Sequence, residues 1–446
     1  MNKKELSLNR RTFIKATSIA AGGLILPQWL QAQAHVAGSD AIKVGVVGCG
    51  GRGTGAVVQA LSTAQNVKLV ALGDAFRDRL DSCLKKVMER KYKNAAGESI
   101  ASTECVDVPE EHKFTGFDAY QKVIPLVDVV ILATPPGFRP LHFEAAIAAD
   151  KHVFMEKPVA TDAPGVRRVL AAAEEAKRKK LNVVVGLQRH YQTKYREWVR
   201  RMHEGEIGEI RTAHVAWNSG GVWVKDREPD QSELAYQMRN WYYFNWVCGD
   251  HITEQHIHNL DVGNWVMQSY PSQAYGMVGR HQRTGAKHGQ IFDHHFVEYQ
   301  YEDGRYMISQ CRHWRNTPSR VSEAFQGTHG SAPSPGKLMG TDGTRLYQYR
   351  DRNPANPYQV EHDELFAAIV QGDYKYADAE NGAYATLTSI MGRMATYSGE
   401  IITWDQALNS ELSLVPDDLD WDSPAPLQPL ADGSYPIPGP GSGQAY

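Results

Sequence analysis

Residues 44–53, VGVVGCGGRG, decide the fold of this chain. A short apolar run, typical of a buried strand, ends in the spacing Gly48-x-Gly50-x-x-Gly53, and residues 54–61 continue as a helix. In a dinucleotide site the first glycine makes the tight turn, the second lets the backbone approach a pyrophosphate, and the third allows close packing of helix on strand. The pyrophosphate lies at the N–H groups of the helix N-terminus. The stretch, with Gly51 and Arg52, therefore predicts a nucleotide-binding loop.

A second apolar run, residues 67–72, ends at Gly73 and Asp74. A carboxylate at the end of this strand accepts hydrogen bonds from the adenosine ribose and repels a 2′-phosphate. Asp74 therefore predicts NAD in preference to NADP.

The rest of the first half alternates apolar strands with helices. Such alternation predicts a parallel sheet with helices on both faces. We expect one doubly wound Rossmann domain over residues 42–187. Its further strands are expected at residues 128–133, 152–155 and 182–186, and its further helices at 77–91, 142–149 and 164–180.

The second half has a different pattern, in which strands follow one another. Asp303-Gly304 is a turn pair favoured in tight hairpins, and it joins two of them. We expect an α+β domain over residues 188–415, built on a largely antiparallel open sheet. Its strands are expected at residues 211–218, 273–280, 294–301, 305–313 and 319–328, and its helices at 363–371 and 382–398. Residues 416–446 are rich in Pro, Gly and Ser, so we expect a disordered tail or an arm on a neighbouring subunit.

The N-terminus has the features of an export signal. A basic segment with Arg10-Arg11 precedes a moderately apolar stretch, residues 16–26, and the A-x-A pattern of residues 32–34 follows. Arg-Arg followed by x-Phe-Ile-Lys resembles the twin-arginine signal, although Asn9 stands where serine or threonine is usual. The apolar stretch is too short to span a bilayer. We expect residues 1–34 to be a signal peptide and the mature protein to be periplasmic or secreted, with no membrane span.

Charge and cysteine content exclude other classes of protein. A net charge of −3 with mixed signs gives no electrostatic footprint for nucleic acid. Five cysteines without a C-x-x-C pair argue against a disulfide framework, and we expect mostly buried thiols.

Motifs beyond the glycine loop resemble one family. Thr134-Pro135, His142 and above all Glu156-Lys157-Pro158 resemble the Gfo/Idh/MocA oxidoreductases, and Gln188-Arg189 extends the resemblance. It implies that Thr134, Pro135, His142, Glu156 and Gln188 contact the cofactor. It implies further that Lys157 reaches both the nicotinamide ribose and the substrate, that Arg189 contacts the substrate, and that the protein forms a dimer or tetramer through its C-terminal sheet.

A second family motif, usually Asp-x-Gly-x-His-x-x-Asp, corresponds to residues 254–261, EQHIHNLD. His258 and Asp261 match, whereas Glu254 and His256 depart from the pattern. On one helix Glu254, His258 and Asp261 share a face, so the carboxylate could hold the imidazole as a general base. Lys157 is the alternative base, and Asp261 is expected to contact the substrate.

Two further interpretations of this motif remain open. The first is a helix-surface ion pair beside a buried histidine. The second is a metal site formed by Glu254, His256 and His258, which is weaker because positions i and i+2 point apart on a helix. We expect no metal.

Aromatic and amide side chains cluster at Trp217-Asn218, Trp223 and residues 239–246. Aromatic faces with interleaved donors suit a carbohydrate, although core packing also explains single members. Trp241 and Tyr242 are our candidates for substrate contact, and residues 293–295 and 313–315 are further candidates.

These features predict an NAD(P)-dependent oxidoreductase that moves hydride between nicotinamide and a hydroxyl of a sugar, glycoside or polyol. One alternative is a glycosidase that uses bound NAD for oxidation, elimination, hydration and reduction, similar to the family 109 glycoside hydrolases. A sugar-binding protein with an inactive cofactor fold is disfavoured by the intact Gly48, Asp74, Lys157 and His258. Because an exported enzyme meets little free nucleotide, we expect NAD to be tightly bound.

Overall fold

The computed structural model describes residues 41–94, 96–416 and 418–440. The expected signal peptide, residues 1–34, lies outside these ranges. The first domain consists of strands and helices that mostly alternate. They are β1 (Ile42–Val47), α1 (Gly51–Leu61), β2 (Val67–Asp74), α2 (Arg77–Met88), β3 (Tyr92–Lys93), β4 (Ser99–Ile100), α3 (Ser102–Cys105), β5 (Lys113–Thr115), α4 (Ala119–Val123), β6 (Val129–Leu132), α5 (Arg139–Ala148), β7 (His152–Met155), α6 (Ala163–Lys179) and β8 (Val183–Val185).

The main sheet of this domain has the order β5-β2-β1-β6-β7-β8, and all its pairings are parallel. Strand β6 is buried at every residue, as a sheet covered on both faces requires. The chain leaves β1 towards β2 on one side and later returns to β6 on the other. Ligands bind at this switch point, beyond the carboxyl ends of the strands. The predicted doubly wound Rossmann domain is confirmed.

The second domain begins with helix α7 and contains the second sheet. The elements after β8 are α7 (Thr193–His203), β9 (Ile210–Ser219), α8 (Glu233–Arg239), α9 (Asn245–Cys248), α10 (Asp250–Glu254), α11 (Ile257–Met267), β10 (Gln273–Gly279), β11 (His294–Gln300), β12 (Tyr306–His313), β13 (Arg320–Gly327), β14 (Gly330–Ser334), β15 (Lys337–Gly340), β16 (Arg345–Gln348), α12 (Pro357–Gln371), α13 (Ala379–Ser398), β17 (Ile402–Thr403) and α14 (Trp404–Asn409). Helix α12 was expected in the second domain, but it packs on α1 and β8 of the first.

Within the described ranges this sheet has the order β16-β15-β14-β13-β9-β12-β11-β10-β17. Only the β9–β12 pairing is parallel, so the expected largely antiparallel sheet is confirmed. Strands β11 and β12 form the hairpin that Asp303-Gly304 predicts, and Gly304 has φ +82°. Helices α11 and α13 cover one face, and α13 is buried over most of its length.

The C-terminal tail corrects one expectation, since its described part packs on its own chain. The Trp421 ring lies 5.1 Å from that of Phe76 and 4.7 Å from that of Phe117. Tyr435 is buried, and its hydroxyl donates to Glu233 Oε1 at 2.6 Å. Composition alone missed these aromatic anchors among the prolines and glycines. Among the described residues, no helix is long and apolar enough to cross a membrane.

Candidate active site

A cleft of about 830 Å³ lies at the carboxyl ends of β1, β2 and β6 and extends to the second domain. Nearly all of the predicted cofactor residues line it: Gly48, Gly50, Gly51, Arg52, Asp74, Thr134, Pro135, His142, Glu156, Lys157 and Gln188. The second domain contributes Trp217, Trp223, Trp241, Glu254, Gln255 and His258. The structure therefore brings the two predicted groups of residues into one site.

The glycine loop has the geometry that its spacing predicts. Gly48 has φ +100°, and a Cβ there would lie 2.4 Å from the carbonyl carbon of Ala133. A Cβ on Gly53 would lie 1.8 Å from the carbonyl oxygen of Gly48. This glycine therefore allows helix α1 to pack closely on strand β1, and it does not line the cleft itself. A Cβ on Gly50 would meet no atom within 4 Å. Gly50 therefore leaves the space in front of helix α1 open for a pyrophosphate.

Asp74 stands beside this loop at the end of β2. Its Oδ2 accepts the backbone N–H of Cys49 at 2.7 Å, and its Oδ1 accepts that of Phe76 at 2.9 Å. Burial raises the pKa of this carboxyl, while the two N–H groups oppose the shift. The carboxylate is thereby held at the position where a ribose would bind.

Glu156 and Arg52 join the loop to strand β7. Glu156 Oε1 accepts from Arg52 Nε at 2.8 Å and from Nη2 at 2.6 Å. The Arg52 guanidinium also lies over the ring of Tyr358, 4.5 Å from its centroid. A Cβ on Gly186 would lie 2.8 Å from Glu156 Oε2, so the Glu156 carboxylate packs tightly against the backbone of Gly186. This pair fixes the floor of the cleft next to Lys157.

Lys157 forms an ion pair with Glu254 across the two domains. Its Nζ lies 3.1 Å from Glu254 Oε1 and also donates to the backbone carbonyl of Glu254. Burial raises the pKa of Glu254, and the Lys157 ammonium opposes that shift. Glu254 therefore positions the lysine at the wall of the cleft.

His258 is the candidate base. It is buried, its Nδ1 has no hydrogen-bond partner among the described residues, and its ring stacks on Trp217 with centroids 5.9 Å apart. Burial lowers the pKa of His258 well below 6.5, and the charge of Lys157 adds to the effect. The imidazole is therefore uncharged at neutral pH and can accept a proton.

The expected single helix through Glu254, His258 and Asp261 is wrong, because α10 ends at Glu254 and α11 begins at Ile257. At the break the His256 ring turns inward, and its Nε2 lies 2.8 Å from Ser309 Oγ. Glu254 consequently pairs with Lys157 and not with His258. The metal site considered for Glu254, His256 and His258 loses its basis, because His256 points away from the cleft.

Three residues that were predicted to contact the substrate are not among the described residues that line the cleft. The Arg189 guanidinium pairs with the buried carboxylate of Glu323. Asp261 Oδ2 lies 2.8 Å from His190 Nε2. Tyr242 is buried, and burial raises its pKa. Their geometry supports packing and positioning roles, whereas Trp241 does line the cleft.

The structure also adds residues that the sequence analysis missed. Phe76, Arg79 and Phe117 line the cleft beside Asp74, and Tyr358 of α12 lies under Arg52. Phe76 and Arg79 lie two and five positions after Asp74 in the sequence. The segment after β2 could therefore have been identified from the sequence as part of the cleft. Tyr358 is 306 positions after Arg52, and no local pattern indicates it.

The residues present fit a bound NAD. The open space at Gly50 and the carboxylate of Asp74 suit a pyrophosphate and a ribose diol. Gln188 Oε1, which also lines the cleft, is buried without a hydrogen-bond partner among the described residues. A buried polar atom of this kind is stabilised when a ligand supplies the missing donor.

Comparison with known proteins agrees with this site. The oxidoreductase family with an NAD-binding Rossmann fold, Gfo/Idh/MocA, matches residues 42–186. An inositol 2-dehydrogenase of Serratia proteamaculans is 26% identical over 376 residues, which is 81% of this chain and 96% of that protein. These similarities support an NAD-dependent oxidoreductase and do not support the glycosidase alternative.

Solved structures share the fold. Scyllo-inositol dehydrogenase from Lactobacillus casei, with bound NAD(H) and scyllo-inositol, has a TM-score of 0.58 at 18% identity and covers 82% of this chain and 100% of its own. Levoglucosan dehydrogenase in complex with NADH and levoglucosan has a TM-score of 0.63 at 14% identity, with the same coverage.

Proposed function

We propose that this chain, an NAD-dependent oxidoreductase of the Gfo/Idh/MocA family, oxidises a secondary hydroxyl of a cyclic polyol or sugar. The observation that carries the proposal is the convergence of Lys157 and His258 on the cleft that contains the glycine loop. An ammonium, an uncharged imidazole and a dinucleotide cradle in one cleft are the groups that alcohol oxidation requires.

NAD, when bound, supplies the acceptor for the hydride. In our proposal His258 accepts the hydroxyl proton, because it lines the cleft and its Nδ1 has no hydrogen-bond partner among the described residues. The Lys157 ammonium, held by Glu254, donates a hydrogen bond to the oxygen that becomes negative as the proton leaves. Lys157 is the alternative base, and His258→Ala distinguishes the two assignments.

The lining of the cleft supports a ring-shaped polyol as substrate. The indoles of Trp217, Trp223 and Trp241 line it, and Gln255 and Lys225 add hydrogen-bond donors. Aromatic faces pack against the C–H face of a ring, while the donors bind its hydroxyls. The relatives named for inositol and levoglucosan support the same class.

The test is a substrate panel of cyclic polyols, free sugars and glycosides, with NADH absorbance as the readout. We expect enzyme-bound NADH to form, up to about one equivalent per active site, with cyclic polyols or free sugars and to be absent with the Lys157→Met variant. Release of the aglycone from glycosides without any net NADH would contradict the proposal.

We propose further that NAD stays bound through many turnovers, so that the hydride it accepts is passed on in place, either to a second, carbonyl-containing substrate that enters the same cleft or back to the first one. The ring contacts of Trp421 with Phe76 and Phe117 place the tail beside the adenosine end of the cleft. Arg239 adds an ion pair across the domains, with its Nη2 2.6 Å from Asp78 Oδ1.

Bound nucleotide measured after prolonged dialysis should be retained in the wild type and lost faster from Trp421→Ala. Leu430→Ala, at an exposed position of the tail, is the matched control. Equal loss from all three proteins would contradict retention by the tail.

Export by the twin-arginine route remains our proposal for residues 1–34, with the folded protein loaded with NAD before it leaves the cytoplasm. The support is the Arg10-Arg11 motif and the apolar stretch after it. Cell fractionation of the full chain should show the protein outside the cytoplasm, and Arg10→Lys with Arg11→Lys should retain it inside. Equal distribution of the two proteins would contradict this route.

Assembly through the open face of the second sheet is also a proposal. Tyr275 and Met277 expose 52% and 59% of their surface on strand β10. Light scattering should give a dimer or tetramer that Met277→Glu weakens, whereas Tyr374→Glu, at an exposed position outside this sheet, leaves it unchanged. A monomeric wild type would contradict assembly.

A further inference from the structure

A second cluster of titratable side chains lies behind the cleft and is not used by the proposed chemistry. It consists of Asp250 and His251, which open helix α10, and His295 on strand β11. All three are buried, and each offers one ligand atom within 4.8 Å of the others. Asp250 Oδ2 lies 3.3 Å from His295 Nε2, and Asp250 Oδ1 lies 4.0 Å from His251 Nε2.

The Thr396 hydroxyl lies between His295 and a carbonyl of its own helix. It is 3.0 Å from the carbonyl of Arg393 and 3.1 Å from His295 Nδ1. When the hydroxyl donates to the carbonyl, it accepts from Nδ1–H, and His295 Nε2 presents its lone pair to Asp250 Oδ2, 3.3 Å away. A cation between these two atoms removes the repulsion of their lone pairs. The other tautomer, in which Nε2–H donates to Asp250, is the alternative that the test decides.

His251 favours the cation. Both of its ring nitrogens lack a hydrogen-bond partner among the described residues, although the side chain is fully buried. A neutral imidazole has one N–H and one nitrogen lone pair, so this ring can offer a ligand atom. A buried polar group without a partner is destabilising, and a metal ion bound to one of the nitrogens would reduce this cost.

The surroundings resemble the support that metal ligands usually have. The Tyr397 hydroxyl donates to Asp250 Oδ2 at 2.7 Å, and Thr396 orients His295. The nearby Arg393 guanidinium donates to the carbonyls of Gly249 and Thr161 instead of neutralising Asp250. His313 stacks on His251 at 4.4 Å between centroids, and its unpartnered Nδ1 offers a further nitrogen beside the cluster.

We propose that Asp250, His251 and His295 bind one divalent transition metal ion, for which zinc is the best match. Two imidazoles and one carboxylate are ligands that zinc accepts at about 2.0–2.2 Å, so small inward shifts of the three side chains suffice. Because the ligands are buried, the site is structural. The ion links helix α10, which ends at Glu254, to strand β11 of the second sheet.

The test is the metal content of the purified full-length protein by plasma mass spectrometry. We expect about one equivalent of zinc in the wild type and less than one tenth in His251→Ala and His295→Ala. His362→Ala is the matched control, because His362 is equally buried and its Nε2 also lacks a partner in the described structure. This variant should keep its metal.

A second measurement covers the case in which the variants do not fold. Wild-type protein treated with a chelator should lose the ion and melt at a lower temperature, and zinc should restore the melting temperature. Cobalt in its place should give visible absorption bands. A wild type that contains no metal, and takes up neither zinc nor cobalt, would overturn the proposal in favour of a direct hydrogen bond from His295 Nε2 to Asp250.

Discussion

The cofactor side and the substrate side of the cleft are built differently. On the cofactor side, Gly48, Gly50 and Asp74 lie within 27 consecutive residues and occupy the ends of two adjacent strands. On the substrate side, Lys157 meets Glu254, which is 97 positions away in the sequence. Local backbone geometry therefore sets the first group, whereas domain packing sets the second. We expect substitutions on the two sides to separate cofactor binding from catalysis.

The largest effect is expected on the substrate side. His258→Ala removes the proposed base and should lower kcat by about two to four orders of magnitude, the usual scale for general acid–base catalysis. NAD affinity should remain near the wild-type value. Steady-state kinetics with a matched NAD titration provides the check, and His203→Ala on an exposed helix end is the control. Near-normal turnover of His258→Ala would assign the proton transfer to Lys157.

The second largest effect is expected for a substitution on the cofactor side. Asp74→Ala removes a carboxylate that would accept hydrogen bonds from the ribose, a loss of about 1.5–3 kcal/mol. NAD should bind about 10–100-fold more weakly, and discrimination against NADP should relax. Nucleotide titrations of both cofactors measure this. Wild-type protein that binds NADP as tightly as NAD would remove Asp74 from the selection.

Glu254→Gln should have a smaller effect, since Lys157 keeps its hydrogen bond to the backbone carbonyl of residue 254. Loss of the ion pair should lower kcat by about tenfold. The pH profile of kcat should also change, because Glu254, whose pKa is raised by burial, is replaced by a side chain that does not titrate. Unchanged NAD affinity would separate this positioning role from cofactor binding, whereas an unchanged pH profile would contradict it.

The last expected effect concerns acid stability on the cofactor side, and at neutral pH it is the smallest because it appears only below about pH 6.5. Burial lowers the pKa of His362 to about 3, below its ordinary value of 6.5. As pH falls from about 6.5 to about 3, the unfolded chain binds the proton first, so the free energy of unfolding decreases by about 1.4 kcal/mol per pH unit. His362→Gln should lose this contribution. Denaturant unfolding at several pH values measures the slope, and equal slopes for the two proteins would contradict the buried neutral ring.

The same contrast explains how much could be predicted from the sequence. The glycine spacing and the apolar runs predicted the Rossmann domain and placed Gly48, Gly50 and Asp74 in the cleft. The antiparallel sheet followed from successive strands and from Asp303-Gly304. These signals are local, because each depends on side-chain periodicity or on a turn within a few residues.

The substrate side was predicted less well for a physical reason. Residues 254–261 have helical spacing, yet the helix breaks after Glu254 because the buried His256 ring hydrogen-bonds Ser309 on the neighbouring sheet. Arg189 similarly pairs with Glu323, a partner 134 positions away. The tail was misjudged because its composition hides Trp421 and Tyr435. Tertiary contacts of this kind leave no periodic pattern in the sequence.

The central claim is hydride transfer from a polyol carbon to NAD held in this cleft. The most direct measurement is a single turnover with a cyclic polyol whose reacting C–H is deuterated, followed by mass spectrometry of the bound nucleotide. We expect NADH that carries one deuterium from the substrate in the wild type, and much slower labelling of the nucleotide in His258→Ala. A nucleotide that remains unlabelled while the substrate is converted would contradict it.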